Sequence, residues 1–275
     1  MESENNKNKR KTRREFLLAS TVVSGGAVLA YFLKPLKAIA DPKTSDSLAD
    51  TSSLSSSNKT PSIKGDDHWY GFGFDIEKCI GCGSCVSACK IENDVPKEPF
   101  FFRTWVEQYA EKNDGTVKVE SPNGGIDGQK QSVSDDEIFK SFFVPKTCNH
   151  CSKSPCVQVC PVGATFVSPD GVVLIDEKYC IACGYCVQAC PYGCRYIHPD
   201  KEVADKCTLC YHRIKKGLSP VCVDICPTGA RTYGDLHDKK SDIVKFLKEH
   251  NCHVLKPHLN TGSKLFYNSL SAEVR

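Results

Sequence analysis

The chain has 275 residues, 40% of them hydrophobic, and a formal charge of +3. Eight of its 36 basic residues and only three of its 33 acidic ones lie in residues 1–40, which leaves 28 basic and 30 acidic residues, about −2, for the rest; nucleic-acid binding needs a basic face to neutralise phosphates, and no strong footprint of that kind remains. Eighteen cysteines against one methionine and two tryptophans is far from average usage and implies either disulfides or metal.

Residues 1–14 are polar and basic and end in Thr12-Arg13-Arg14-Glu15-Phe16-Leu17. An apolar stretch follows to Leu33, softened by Ser20, Thr21, Ser24, Gly25 and Gly26, and Ala38-Ile39-Ala40 offers a small-x-small cleavage site before Asp41. Residues 1–40 resemble a twin-arginine signal, with Leu18 where Lys is usual, which implies export to the periplasm with cofactors already in place. The competing reading is a retained anchor, since about 18 apolar residues just span a bilayer; the Ser and Gly content argues against it. Residues 41–67 are rich in Ser, Thr, Asp and Lys, as in Thr51-Ser52-Ser53-Leu54-Ser55-Ser56-Ser57, and bury too little to offset the entropy of ordering them. They read as a flexible linker.

The core begins near Trp69 and repeats. Its first quartet is Cys79-x2-Cys82-x2-Cys85-x3-Cys89, followed by Lys90. Residues 91–147 form a β-rich insertion, with strands expected around Phe100 to Val106 and Phe142 to Val144 and a loop or hairpin excursion over Asn113 to Asp136. The aromatic run reads as a half-buried strand covering a metal site or as a docking face. The second quartet is Cys148-x2-Cys151-x4-Cys156-x3-Cys160, followed by Pro161. Ala164 to Val167 and Gly171 to Asp176 form a hairpin signal leading into the third quartet, Cys180-x2-Cys183-x2-Cys186-x3-Cys190, followed by Pro191. A second ribbon is expected between Arg195 to His198 and Glu202 to Ala204. The fourth quartet is Cys207-x2-Cys210-x11-Cys222-x3-Cys226, followed by Pro227. Helical segments are expected after the fourth Cys of each quartet, and a terminal helix capped by Asp238 carries Ile243, Val244, Phe246 and Leu247.

Sixteen of the eighteen cysteines fall into this scheme. A cubane cluster needs four thiolates around it, and a Cys-x-x-Cys-x-x-Cys loop supplies three, while the fourth Cys reaches the partner cluster, so quartets work in interlocked pairs. Zinc ribbons use two Cys-x-x-Cys pairs per metal rather than triplets with a further Cys at plus four. Disulfides are disfavoured because steps of three and four residues bunch the thiols too densely to pair. The expected fold class is therefore α+β, two interlocked ferredoxin-like [4Fe–4S] pairs over residues 68–240, then a C-terminal helix and docking tail over 241–275. Cys194 reads as a buried space-filling thiol and Cys252 as part of a surface turn or helix end. His150 and His212 read as partly exposed, the alternative being a hydrogen bond to cluster sulfur. No phosphate loop, carboxylate pair or nucleophile motif stands out, and no catalytic residue is expected.

Cys79-Ile80-Gly81-Cys82-Gly83, Thr147-Cys148-Asn149-His150-Cys151, Cys190-Pro191-Tyr192-Gly193, Lys206-Cys207-Thr208-Leu209-Cys210, Cys226-Pro227-Thr228-Gly229-Ala230 and the tail Thr261-Gly262-Ser263-Lys264-Leu265-Phe266-Tyr267 together resemble the iron–sulfur (beta) subunits of the complex iron–sulfur molybdoenzyme family, over roughly residues 69–268. That family includes dimethyl sulfoxide, tetrathionate, polysulfide and arsenate reductases. The resemblance implies that quartet one pairs with four and two with three. One cluster would be held by Cys79, Cys82, Cys85 and Cys226, and its neighbour by Cys207, Cys210, Cys222 and Cys89. A third would be held by Cys148, Cys151, Cys156 and Cys190, and a fourth by Cys180, Cys183, Cys186 and Cys160. It also implies two partners, a molybdopterin catalytic subunit and a membrane quinone-reactive subunit of the polysulfide reductase NrfD type. The role implied is electron relay without catalysis. A free-standing polyferredoxin and the iron–sulfur subunit of a membrane-bound hydrogenase are the rival readings.

Overall fold

The computed structural model describes residues 68–98, 100–128 and 134–274, so the signal expected over 1–40 and the linker over 41–67 lie outside the described residues. Strand β1 (Tyr70–Asp75) alternates aromatic residues with Gly71 and Gly73. With side chains alternating between faces, Phe72 and Phe74 share one side and the glycines the other. β1 lies mid-sheet, antiparallel to β9 (Arg231–Asp235, Gly73 opposite Thr232) and parallel to β11 (Leu265–Asn268, Phe72 opposite Leu265), with β10 (Cys252–His253) outside β11. Helix α6 (Asp242–Glu249) buries Ile243 and Phe246 on the glycine face. A Cβ at Gly73 would stand 2.5 Å from the Phe246 ring, so only glycine lets the helix sit so close. Ser241 rather than Asp238 precedes α6. The Asp238 carboxylate instead accepts the Lys240 N–H at 2.9 Å and its carbonyl the Ser241 N–H at 3.0 Å, which forms the turn ahead of the helix.

Between the first two quartets, β2 (Thr104–Lys112), β3 (Val117–Glu120) and β4 (Ile138–Thr147) form an antiparallel sheet in the order β3-β2-β4. Thr104 Oγ1 donates to the Lys146 carbonyl at 2.7 Å and Thr147 Oγ1 to that of Arg103 at 2.8 Å, a reciprocal clamp on the end of the ladder. The aromatic run precedes the strand rather than forming it: Phe100 has φ of +86° and is exposed. The sheet reaches the first quartet through the turn at Gly125, whose carbonyl oxygen would meet a Cβ on Gly83 at 2.3 Å.

The two short ribbons form where the turn residues place them, β5 (Thr165–Val167) with β6 (Val173–Ile175) and β7 (Tyr196–Ile197) with β8 (Ala204–Asp205). The helices differ from expectation. α1 (Ser84–Glu92) contains both Cys85 and Cys89. The single turns α2 (Pro155–Gln158), α3 (Tyr185–Gln188) and α5 (Val221–Asp224) each contain a third Cys and stop before the fourth. Thus the helical segment precedes the fourth Cys instead of following it. Proline at 161, 191 and 227 disfavours the helical conformation in the residue before it and cannot donate to the ladder. Where Lys90 replaces that proline, the helix runs on to Glu92. A further turn, α4 (Tyr211–Ile214), follows Cys210.

Candidate metal centre

In each of the four Cys-x-x-Cys loops the residue just before the second cysteine is left-handed: Gly81 at φ +67°, His150 at +42°, Ala182 at +54° and Leu209 at +59°. Only Gly81 adopts this region without steric cost. Reversing the backbone hand at that point curls the loop back on itself, so its thiols face one space. It also turns main-chain N–H groups toward sulfur: His150 N lies 3.5 Å from Cys148 Sγ and Leu209 N 3.3 Å from Cys207 Sγ.

Two such spaces are defined directly. Cys79, Cys82 and Cys85 line one cavity with Cys226, flanked by Val106, Pro227, Ala230 and Arg231. Cys207, Cys210 and Cys222 line a second with Cys89. The fourth Cys of quartet one thus lies with quartet four, and the fourth of quartet four with quartet one. Burial pushes the Cys79 thiol up to about 11 and that of Cys222 up to about 12, the surrounding thiolates adding to the effect. Such thiols stay protonated at neutral pH until a metal displaces the proton.

Cys148, Cys151 and Cys156 are buried, and burial followed by the proximity of Cys148, Cys156 and Cys190 raises Cys151 to about 11. Cys190 moves the other way, held down to about 5 chiefly by a hydrogen bond from the Cys194 thiol against the opposing effect of burial. Cys194 is buried as expected, with its sulfur 3.0 Å from the Thr147 carbonyl oxygen. Cys186 packs with Cys156 in a small core that half-buried Cys180 adjoins, and Ala204 N donates to Cys180 Sγ at 3.3 Å. Cys183 is exposed, and half-buried Cys160 lies two residues past the end of α2. Burial would raise the Cys160 thiol, but the N–H groups of Thr165, Val162 and Ala164 outweigh it and lower it. Cys252 lies in β10, away from both cavities.

The histidines divide. His212 is half exposed and contacts Glu92 at 2.7 Å. His150 is buried, against expectation: its Nδ1 accepts the Val173 N–H at 3.1 Å, and its Nε2 has no protein partner. Burial, then Lys206, Lys264 and Arg195, hold it neutral. The left-handed loop turns it inward, which polarity alone does not show. Two further side chains that are not cysteines lie at the thiols. Asn93 Nδ2 lies 3.5 Å from Cys89 Sγ and 3.6 Å from Cys210 Sγ, and Arg195 Nη2 lies 3.1 Å from Cys156 Sγ.

Among the described residues no three His, Cys, Asp or Glu side chains close on a point that a single ion could occupy, as a tetrahedral zinc site requires. The thiols stand around open spaces instead, with soft sulfur donors only, and that donor set fits an iron–sulfur cube. Two family models, each a 4Fe-4S dicluster domain, match residues 78–164 and 139–236. The chain is 42% identical over 205 residues to a tetrathionate reductase subunit of Salmonella typhimurium, covering 74% of this chain and 73% of that one. It is 45% identical over 202 residues to the subunit of the same name from Archaeoglobus fulgidus, covering 74% and 83%. The chain is an iron–sulfur subunit of the molybdoenzyme reductase family. The arsenate respiratory reductase iron–sulfur subunit of a Shewanella species, 31% identical over 248 residues, is a further relative, with 72% of this chain and 94% of that one covered. An iron–sulfur subunit of this kind transfers electrons and carries no catalytic site of its own. Among the described residues no helix is long and apolar enough to cross a membrane.

Proposed function

We infer that residues 68–240 hold four [4Fe–4S] clusters and relay electrons between a membrane quinone-reactive subunit of the NrfD type and a molybdopterin catalytic subunit of an exported, periplasmic respiratory oxidoreductase. The observation that carries this reading is the exchange of fourth cysteines, Cys226 lying among Cys79, Cys82 and Cys85 while Cys89 lies among Cys207, Cys210 and Cys222. Two cavities that trade a ligand have a short path between them, as a relay needs. Cys148, Cys151, Cys156 and Cys190 would hold a third cluster. Cys180, Cys183, Cys186 and Cys160 would hold the fourth, supported by the repeated spacing and by the packing of Cys156 with Cys186. Export rests on the twin-arginine pattern of residues 1–40, and residues 241–275 serve as a docking tail.

When bound, each cluster accepts and gives up one electron. The chain sets how readily: the buried thiols hold the irons, Val106, Phe72 and Leu209 keep water from the first two cavities, and N–H groups directed at sulfur favour the reduced, more negative state. Anaerobically isolated protein should contain about sixteen irons per chain, and come from the periplasmic fraction bound to a molybdenum-containing subunit. Cys82→Ser should remove or convert one centre in low-temperature spin resonance. A zinc-dominated analysis, or a lone chain with an unchanged spectrum in that variant, would sink the assignment.

A further inference from the structure

Two arginines occupy the same place in different quartets. Cys190-Pro191-Tyr192-Gly193-Cys194-Arg195 and Cys226-Pro227-Thr228-Gly229-Ala230-Arg231 share the pattern Cys-Pro-x-Gly-x-Arg, whereas the second quartet reads Cys160-Pro161-Val162-Gly163-Ala164-Thr165. Both guanidinium groups are buried, Arg195 with 5% and Arg231 with 4% of its surface exposed. Each donates Nη1 to a threonine hydroxyl, Arg195 to Thr165 at 3.4 Å and Arg231 to Thr104 at 3.0 Å.

Neither forms an ion pair with a carboxylate among the described residues; the ionisable groups that face them are cysteines, with Lys206 a second buried cation near Cys156. Arg195 touches Cys156 and faces Cys148 on one side and Cys186 on the other, so it stands between the third thiol group and the fourth. Arg231 lines the cavity of Cys79, Cys82, Cys85 and Cys226, and it also faces Cys222 of the second cavity. Arg103, the other arginine at a cavity, differs in being paired with Asp205 at 2.8 Å. A buried cation without a counter-ion is unfavourable unless something anionic supplies one. A guanidinium, unlike an ammonium, also keeps its charge when buried.

Resting on the four-cluster reading, we propose that Arg195 and Arg231 are equivalent fixed charges, one lodged between the two thiol groups of each half, that raise the reduction potential of the clusters on both sides. Reduction adds a negative charge, and an unscreened cation in a dry interior favours the more negative state. Because each arginine faces two groups, it acts on both members of its half, and the two halves are tuned by the same device used twice.

The test is a redox titration of the holoprotein followed by low-temperature spin resonance, with iron measured on each sample. Arg195→Gln should lower two of the centres, each by about tenfold in its reduction equilibrium constant, or 59 mV for one electron, and leave the other two near their original values. Arg231→Gln should shift the complementary two. Arg195→Lys and Arg231→Lys, which keep a charge, should stay within about threefold of the parent protein. Glutamine variants with full iron and unmoved potentials overturn the proposal, as does a lysine variant that drops as far as its glutamine counterpart. If a glutamine variant loses iron, the lysine variant at that position decides alone, and a fall of about tenfold or more from the parent protein overturns the proposal. A parent protein with far fewer than about sixteen irons refutes the cluster assignment itself, a result separable from an idle arginine.

Discussion

Asn93 shows how one side chain reaches two thiols. It lies four residues after Cys89, immediately past the end of α1, where its N–H still bonds the Cys89 carbonyl and its amide stays over that cysteine, and Nδ2 lies 3.5 Å from Cys89 Sγ and 3.6 Å from Cys210 Sγ. Its orientation is fixed from behind: Oδ1 accepts Arg103 Nη1 at 3.1 Å, and Arg103 is held by Asp205 at 2.8 and 3.0 Å. Asn93→Leu keeps the volume and removes the donor. The potential of the centre proposed at Cys89, Cys207, Cys210 and Cys222 should fall by roughly 40 mV, equivalent to about 1 kcal/mol, and an unchanged midpoint in a redox titration would refute the role. The sixteen quartet cysteines are legible in the sequence because their spacing is a local pattern. Asn93 was half legible, since its distance from Cys89 can be read from a helix but its contact with Cys210 cannot. Arg195 and His150 were hidden for a stronger reason: local sequence makes a charged or polar residue look exposed, and only the tertiary fold supplies the thiols and main-chain groups that let it be buried.

At the scale of the element, the Cys-x-x-Cys loops all demand a left-handed residue, and the sequence meets that demand unequally. Gly81 meets it at no steric cost but is boxed in, since a Cβ there would lie 2.6 Å from the Phe143 ring. Ala182, in the equivalent place of the third quartet, carries the strain at φ +54°. Left-handed backbone costs a residue with a Cβ about 1–2 kcal/mol, so Gly81→Ala should lower stability by at least that much, with the ring contact adding to it. Ala182→Gly should raise it by up to about 1 kcal/mol, less the extra freedom glycine gives the unfolded chain. Urea unfolding of the holoprotein reads both, and a stabilising Gly81→Ala would contradict the loop geometry. The same elements show where sequence reading misplaced structure. The short ribbons at 165–175 and 196–205 were legible from their turn residues. The helical turns lie N-terminal to the expected place, because the run that the proline ends is the turn carrying the third Cys and no helix begins directly after the fourth.

For the molecule as a whole, residues 261–268 join parts that are distant in sequence. β11 runs parallel to β1 ahead of the first quartet, and Phe72 N donates to the Lys264 carbonyl at 2.9 Å. The preceding residues hold the loop of the second quartet: Ser152 N donates to the Gly262 carbonyl at 2.8 Å, Lys153 N to that of Thr261 at 2.9 Å, and Lys264 N to that of Asn149 at 2.9 Å. Thr261 Oγ1 meets Tyr192 Oη, beyond the third quartet, at 2.6 Å, and Tyr267 Oη donates to the Pro145 carbonyl of β4 at 3.0 Å. The tail therefore touches both halves of the cluster domain, and its Leu265 and Tyr267 are wholly buried in the shared core. Leu265→Ala removes a core side chain where the strand cannot collapse to fill the space, and it should cost about 2–5 kcal/mol. Tyr267→Phe removes one hydrogen bond and leaves the Pro145 carbonyl unpaired, which should cost about 1 kcal/mol. Because the strap spans both halves, Leu265→Ala should shift the loss of all centres together when iron absorbance and spin resonance are followed through a urea titration. Two separate steps, with one half releasing its iron at the parent midpoint, would show that the halves are held independently and that the tail does not unite them.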